Sequence, residues 1–309
     1  MTYTVRNDIV VHKYFKNAAS KLERVHQRSK SIGFAEGLFI TGLSGTGKTT
    51  LINYYVERHR GVEEPDRTTV PVLVVETPSA PTAKNLAETI QIALTGDIAK
   101  GTTEFQTNRI FILLKELKVE LLIIDEIQHF VDRKHIAETA RVTDWLKSFI
   151  NKAQIPVVLI GLPRSLQILE LNEQLRRRFS ARCHLQPFGF NDAIQQRTFR
   201  AVLKVLEEGL PYKCEASMYG FTMAYRLHYA SNGLFDYIAK IIDGAVEITS
   251  SSTSKVITPA VFEQAFLDTV WNDAPSELNP FSSKFVYRRL DKFSEPFYCP
   301  DVDRQKAAA

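Results

Sequence analysis

Cysteine is scarce in this chain of 309 residues: Cys183, Cys214 and Cys299 are far apart and odd in number. Such usage offers neither a disulfide framework nor the ligand spacing of a metal site. No apolar run approaches the roughly 18 residues a membrane span needs. The opening Met1-Thr2-Tyr3-Thr4-Val5-Arg6 lacks the apolar stretch of a secretory leader. A reducing, cytoplasmic setting without membrane contact is the expectation. Strong charge of either sign is missing too. The net charge is +4 and the pI about 8.8, which permits a nucleic-acid partner without requiring one. There is no internal repeat. What remains is a chain 44% hydrophobic and 24% charged, ordinary for a globular protein of one large or two modest domains.

Residues 1–36 are polar and basic, with an apolar helical rhythm at Val11, Phe15, Ala18 and Leu22. They predict a leader helix lying against a core that begins at Gly37. From there strand and helix alternate. Runs of strand length occur at 37–41, 70–76, 121–125 and 155–160, with a weaker fifth at 181–185. Helices are expected over 49–60 and 135–151, the second carrying Val142, Trp145, Leu146, Phe149 and Ile150 on one face. The alternation implies an α/β fold with a parallel sheet covered on both faces. Pro187-Phe188-Gly189-Phe190 marks a boundary, after which helices are expected over 191–207, 216–229, 233–247 and 259–271. Thr258-Pro259 is a helix start, and 249–254 reads as a serine/threonine turn. Residues 272–305, with Pro275, Pro280, Pro296 and Pro300, read as an extended tail docked on a partner or neighbour. The expected divisions are an N-terminal extension (1–36), an α/β core (37–190), a helical part (191–271) and the tail (272–309).

Gly42-Leu43-Ser44-Gly45-Thr46-Gly47-Lys48-Thr49 matches G-x-x-x-x-G-K-[ST] in full, between a strand and an apolar-rich helix. Glycines let successive backbone N–H groups turn toward phosphates, and the helix N-terminus adds its positive end. Lys48 should reach the β- and γ-phosphates of ATP, and the Thr49 hydroxyl should ligate Mg²⁺. About 75 residues downstream, Leu121-Leu122-Ile123-Ile124-Asp125-Glu126 is an apolar strand ending in two acids. The strand delivers Asp125 to the sheet's carboxyl edge, where it can hold Mg²⁺, and places Glu126 to polarise the attacking water. Together the two motifs predict an ATPase. The run Arg176-Arg177-Arg178 before Phe179 supports two readings, a solvated helix end or a trans-acting arginine finger. His129, three residues after Glu126, reads as packing or as support for the residues of the site rather than as catalytic. The Tyr and Phe residues at 54, 55, 219, 221, 225, 229, 235 and 237 read as helix core rather than a base-stacking platform. Lys84, Lys100, Thr102, Thr103 and Arg109 have the chemistry of a phosphate-tracking surface, and equally of a solvated helix–loop–helix.

From Phe39 to about Val270 the chain resembles the AAA+ ATPases of the TniB/TnsC type, regulators of DNA transposition that include those of CRISPR-associated transposons. The resemblance rests on Gly-Leu-Ser-Gly-Thr-Gly-Lys-Thr-Thr at 42–50, which adds Thr50 to the nucleotide loop, and on Ile-Ile-Asp-Glu-Ile-Gln-His-Phe at 123–130. It rests further on the helix at 145–151 feeding Ile155-Pro156-Val157-Val158-Leu159-Ile160-Gly161, and on Asn172 to Phe179. It implies a P-loop ASCE/AAA+ core with a five-stranded parallel sheet in the order 5-1-4-3-2, followed by a small α-helical lid. It also implies ATP-dependent assembly on double-stranded DNA as a ring or helical filament, and contact with transposase and a TniQ/TnsD-like target-selection protein. In that frame Arg178 is the better finger, with Arg177 in reserve, and segment 77–109 faces DNA, which raises Lys100, Thr102 and Arg109. Two departures stand out. Gly161-Leu162-Pro163 offers no polar sensor, though Arg164 and Ser165 follow, and Leu234-Phe235-Asp236 replaces the usual lid arginine. Lys240 lies out of register on that lid helix. Slow hydrolysis suited to a switch is the expectation. The alternative is a replication initiator or helicase loader, against which the roughly 35 residues beyond Val270 weigh as too few for a DNA-reading domain.

Overall fold

The computed structural model describes residues 3–7, 9–32, 36–65, 67–98, 100–132, 136–170 and 172–298. Two compact units divide it. One gathers 14–44 and 48–186; the other gathers the described residues of 1–13, 45–47 and 187–309. Cys299 and Pro300 lie outside the described residues.

The first unit is built on five strands: β1 (Gly37–Gly42), β2 (Val72–Glu76), β3 (Leu121–Asp125), β4 (Val157–Gly161) and β5 (Ala181–Leu185). They lie in the order β2-β3-β4-β1-β5, and every pairing is parallel. This is the expected order 5-1-4-3-2. Central strands β1, β3 and β4 are buried along their whole length, which explains their unbroken apolar runs. Successive side chains still divide between the faces. Phe39, Leu122, Ile124, Val157 and Leu159 enter one core, with Leu86 and Ile90 of α3 (Ala83–Thr95), Ile110 of α4 (Thr103–Glu116) and Phe149 of α5 (Ile136–Ala153). Leu38, Ile40, Leu121, Ile123, Val158 and Ile160 enter the other, with α1 (Lys13–Ile32) and α2 (Lys48–Arg58). In α1 the predicted Phe15, Ala18 and Leu22 are buried, whereas Val11 precedes the helix and is exposed. Pro71 sits just before β2, where its missing N–H breaks no ladder bond. Two short helices, α6 (Gln167–Glu170) and α7 (Glu173–Arg178), lead into β5. Phe179 ends α7 fully buried, its ring edge-on to Phe39.

The second unit holds α8 (Ala193–Glu208), α9 (Phe221–Ser231), α10 (Phe235–Ser251) and α11 (Pro259–Thr269). Here α10 and α11 pack closely: a Cβ added at Gly244 would meet Thr269 Cγ2 at 2.9 Å and Ala265 Cβ at 3.4 Å. Thr249, expected in a turn, is buried within α10 and bonds back to the Ala245 carbonyl at 2.8 Å. Segment 272–298 corrects the expected extended tail. It folds as consecutive turns on its own unit, with Phe281, Phe285 and Leu290 buried. Phe281 stacks on Phe262, and Arg226 Nη1 donates to the Pro280 and Ser282 carbonyls at 2.7 and 2.9 Å. The prolines mark turns there, closed for instance by Leu278 N–H to Pro275 O at 2.8 Å.

Truncating Phe179 to alanine leaves a cavity between β1 and α7. Phe179→Ala is expected to cost about 3–5 kcal/mol, read as a lower denaturant midpoint at unchanged slope.

Candidate active site

β1 ends at Gly42, and α2 begins six residues later at Lys48, so the glycine loop is a sharp connection from strand to helix. Gly45 and Gly47 adopt φ of 78° and 91°, the left-handed region that glycine alone enters freely. A Cβ at Gly47 would meet nothing within 4 Å, so glycine there serves the backbone turn rather than a tight contact. In the second unit, to which residues 45–47 belong, the Asp236 N–H donates to the Gly45 carbonyl at 3.1 Å. Asp236 also pairs with Arg6 at 3.0 Å and with Lys240 at 2.8 Å, so an acid stands at the start of α10 where a lid cation was sought. Leu43, Ser44 and Thr49 are exposed, Thr46 is buried, and Thr50 is half-buried.

Lys48 is buried, and its ammonium donates to the Gly42 and Leu43 carbonyls at 3.1 and 3.0 Å. Burial pushes its pKa down, while the nearby Glu126 and Asp125 charges oppose that shift. Asp125 closes β3 in register with Glu76 of β2. Its carboxylate accepts the Glu126 N–H at 2.8 Å, and burial raises its pKa. The Asp125 carbonyl is fixed by the buried Thr77, whose hydroxyl and N–H donate at 2.7 and 3.0 Å. Glu126 then leaves the strand with φ 55° and ψ 34°, a left-handed conformation costing about 1–3 kcal/mol in a residue with a side chain. The turn is held from the next residues: buried Gln128 donates its Nε2 to Glu126 Oε2. Its Oε1 accepts the Leu162 N–H at 3.1 Å, just past the end of β4. A Cβ on Gly161 would come within 2.8 Å of that oxygen.

The arrangement fits a nucleotide with magnesium. A buried ammonium at the start of α2 lies near two carboxylates, and the excess negative charge calls for a cation. Among the described residues no group of three or more His, Cys, Asp and Glu could hold a metal unaided. Mg²⁺ needs none, since it keeps waters and takes phosphate oxygens beside one or two protein ligands.

The remaining candidates are dispersed. Arg164 forms a two-pronged ion pair with Asp132 at 2.6 and 2.9 Å, and Ser165 bonds the Leu162 carbonyl. His129 lies 3.8 Å from Asp132 at the protein surface. Arg177 is exposed and paired with Glu173 at 2.7 Å. Arg178 is half-buried, bonded to Asn151 at 2.9 Å. Thr102 spends its hydroxyl capping α4, accepting the Phe105 N–H at 3.2 Å. Thr103 starts α4 half-buried, Lys100 and Arg109 are exposed, and Lys84 lies 3.9 Å from Glu88. Of the aromatics, Tyr55 is core as expected, whereas Phe221 is 55% exposed and lines a recess with Tyr225 and Tyr229. Sequence reasoning missed Thr77 and Gln128. Gln128 carried a signal in its place two residues after Glu126.

Sheet order, glycine loop and acid-tipped central strand define the class: a P-loop protein with the AAA+ fold. Within that class the chain belongs to the bacterial TniB protein family, whose model matches residues 1–189. No curated protein matches it. Solved structures share the fold at low identity. The ORC1 protein of Aeropyrum pernix in complex with DNA superposes with TM-score 0.62 at 14% identity, over 84% of this chain and 66% of that one. The ORC2 protein of the same organism, in ADPNP–ADP complexes, gives 0.61 at 15%, over 86% and 70%. Cdc6p of Pyrobaculum aerophilum gives 0.60 at 11%, over 86% and 69%. The chain thus spans slightly less than two thirds of the ORC1 chain. Among the described residues no helix is long and apolar enough to cross a membrane.

Because burial raises the Asp125 pKa, the fold favours its protonated form, and that contribution is lost as pH rises through the folded value. Asp125→Asn is therefore expected to raise Tm at pH 7. The gain should shrink toward zero below the ordinary aspartate value of 3.8, which thermal melts across pH will read.

Proposed function

We propose that this TniB-family protein is an ATP-dependent regulator of DNA transposition that assembles on double-stranded DNA. In this reading it links a TniQ/TnsD-like target selector to the transposase, as a ring or helical filament, and ATP hydrolysis drives disassembly. The observation that carries it is the convergence of Lys48, Asp125 and Glu126 in a chain of the TniB family. Residues 37–190 act as the ATPase core, 191–271 as the lid, and 1–36 and 272–309 as extension and tail.

Residues 42–50 cradle the phosphates, with Lys48 exchanging its carbonyl partners for phosphate oxygens. Thr49 and Asp125 would hold Mg²⁺, which when bound neutralises phosphate charge. Glu126 orients the attacking water and takes its proton. Arg178, with Arg177 in reserve, reaches a neighbour's γ-phosphate. Lys100, Thr102, Thr103 and Arg109 contact the DNA backbone. Turnover is slow, because Gln128 engages the Glu126 carboxylate and the polar groups after β4 are committed elsewhere. The second reading, a replication initiator or helicase loader, draws on the ORC1 and Cdc6p folds. The family match favours the first.

Lys48→Ala should abolish nucleotide-dependent DNA binding at matched salt, while Glu126→Gln assembles and fails to disassemble. Electron microscopy with a slowly hydrolysed ATP analogue, with and without duplex DNA, decides between readings. Assembly indifferent to DNA would overturn the proposal. Gln128→Leu frees Glu126 and leaves the Leu162 N–H unmet. It should raise kcat about tenfold with little change in KM for ATP; a change in KM at unchanged kcat would assign Gln128 to binding instead.

A further inference from the structure

A cation-lined cavity lies in the first unit at the amino edge of the sheet, opposite the glycine loop. A cavity of about 620 Å³ opens against Gly37 and Leu38 of β1 and against Ala181 and Arg182 of β5. These residues start their strands, so the cavity lies a full strand length, roughly 17–20 Å, from the loop that follows Gly42. Six cations line it: Lys21, Arg24 and Arg28 from α1, Arg177 and Arg178 from α7, and Arg182. One carboxylate, Glu36, faces them and is taken by Arg28 at 2.9 Å. Arg177 is taken by Glu173, outside the lining, at 2.7 Å. Among the described residues, Lys21, Arg24, Arg178 and Arg182 have no carboxylate partner. Arg178 is the most constrained. Its Nη1 is held by Asn151 at 2.9 Å, and its Nε is buried without a hydrogen-bond partner. Burial pushes the guanidinium pKa down, as expected for a charge withdrawn from water without an anion beside it.

We propose that this cavity binds a compact polyphosphate anion, held by Arg178 and Arg24 with Lys21 and Arg182 around it. An unpaired guanidinium donor at a concave, positively charged surface is the arrangement that two-pronged phosphate recognition uses. The volume suits a small ligand, whereas a duplex spreads its phosphates along an open track. The anion comes either from solution or from a nucleotide in the glycine loop of a second copy. That second source rests on the function proposed above; the site itself does not.

The probe is inorganic tripolyphosphate, titrated calorimetrically without magnesium into the full chain carrying Lys48→Ala, which disables the glycine loop. Saturable binding should persist there and weaken about tenfold or more on adding either Arg24→Ala or Arg178→Gln. Arg24 is exposed, so its removal leaves the core intact and keeps the test valid if Arg178→Gln folds poorly. Loss of all binding in Lys48→Ala overturns the proposal, as does binding indifferent to both arginine changes. It is also overturned if tripolyphosphate binds no better than sulfate while duplex DNA binding depends on Arg24. A mixing experiment identifies the source. Lys48→Ala chains, with intact cavities, are combined with Arg24→Ala/Arg178→Gln chains, with intact loops. ATP turnover above that of either alone assigns the phosphate to a neighbour's nucleotide. No recovery, with tripolyphosphate binding retained, assigns it to solution; the site then stands and the trans-acting finger falls.

Discussion

Asp125 can be held almost out of water because the four residues before it, Leu121 to Ile124, are completely buried, all four paired with β2 and the last three also with β4. A carboxylate at the end of such a strand is expensive to ionise, and its raised pKa records that cost. The surroundings offset the cost locally: the Glu126 amide meets one carboxylate oxygen, Thr77 meets the carbonyl, and the Lys48 charge lies near. The Thr77 contact depends on the parallel register of β3, which sets Glu76 beside Asp125, and the pairing of β3 with β4 brings the end of β4 within reach of Gln128.

Strain and satisfaction are divided between neighbouring residues. Glu126 takes an unfavourable backbone conformation so that its side chain leaves the strand, and Gln128 holds the turn from within the core. A single carboxamide thereby ties the acid to the tip of the adjacent strand. Displacing β4 moves the Leu162 end of that tie, so the acid responds to shifts of β4 that never reach it directly.

What the sequence revealed follows the range of the interactions. The glycine loop and Asp125-Glu126 are legible because their chemistry is contiguous, and the strand order followed from a resemblance that those motifs carry. The tie from Gln128 to Leu162 is not legible, since it depends on the pairing of β3 with β4 across 34 positions. Local composition misled twice. Serine and threonine after Ile248 suggested a turn, yet Thr249 satisfies its hydroxyl on its own helix and is buried by packing. Prolines at 275 and 280 suggested an extended tail, yet they shape turns that Phe281 and Leu290 anchor. Basic α1 and the arginine run were each visible, but only the fold brings residues some 150 positions apart around one cavity.

That cavity gives the sheet a direction. Its carboxyl edge carries the buried Asp125, and its amino edge carries six cations of which four have no carboxylate partner among the described residues. A two-fold dimer sets like patches against each other and would leave this complementarity unused. Copies that do use it must follow one another in the same sense, each presenting to the next the end it has not itself engaged. Such a series, where it does not close into a ring, has two unlike termini, and growth or loss at one need not match the other.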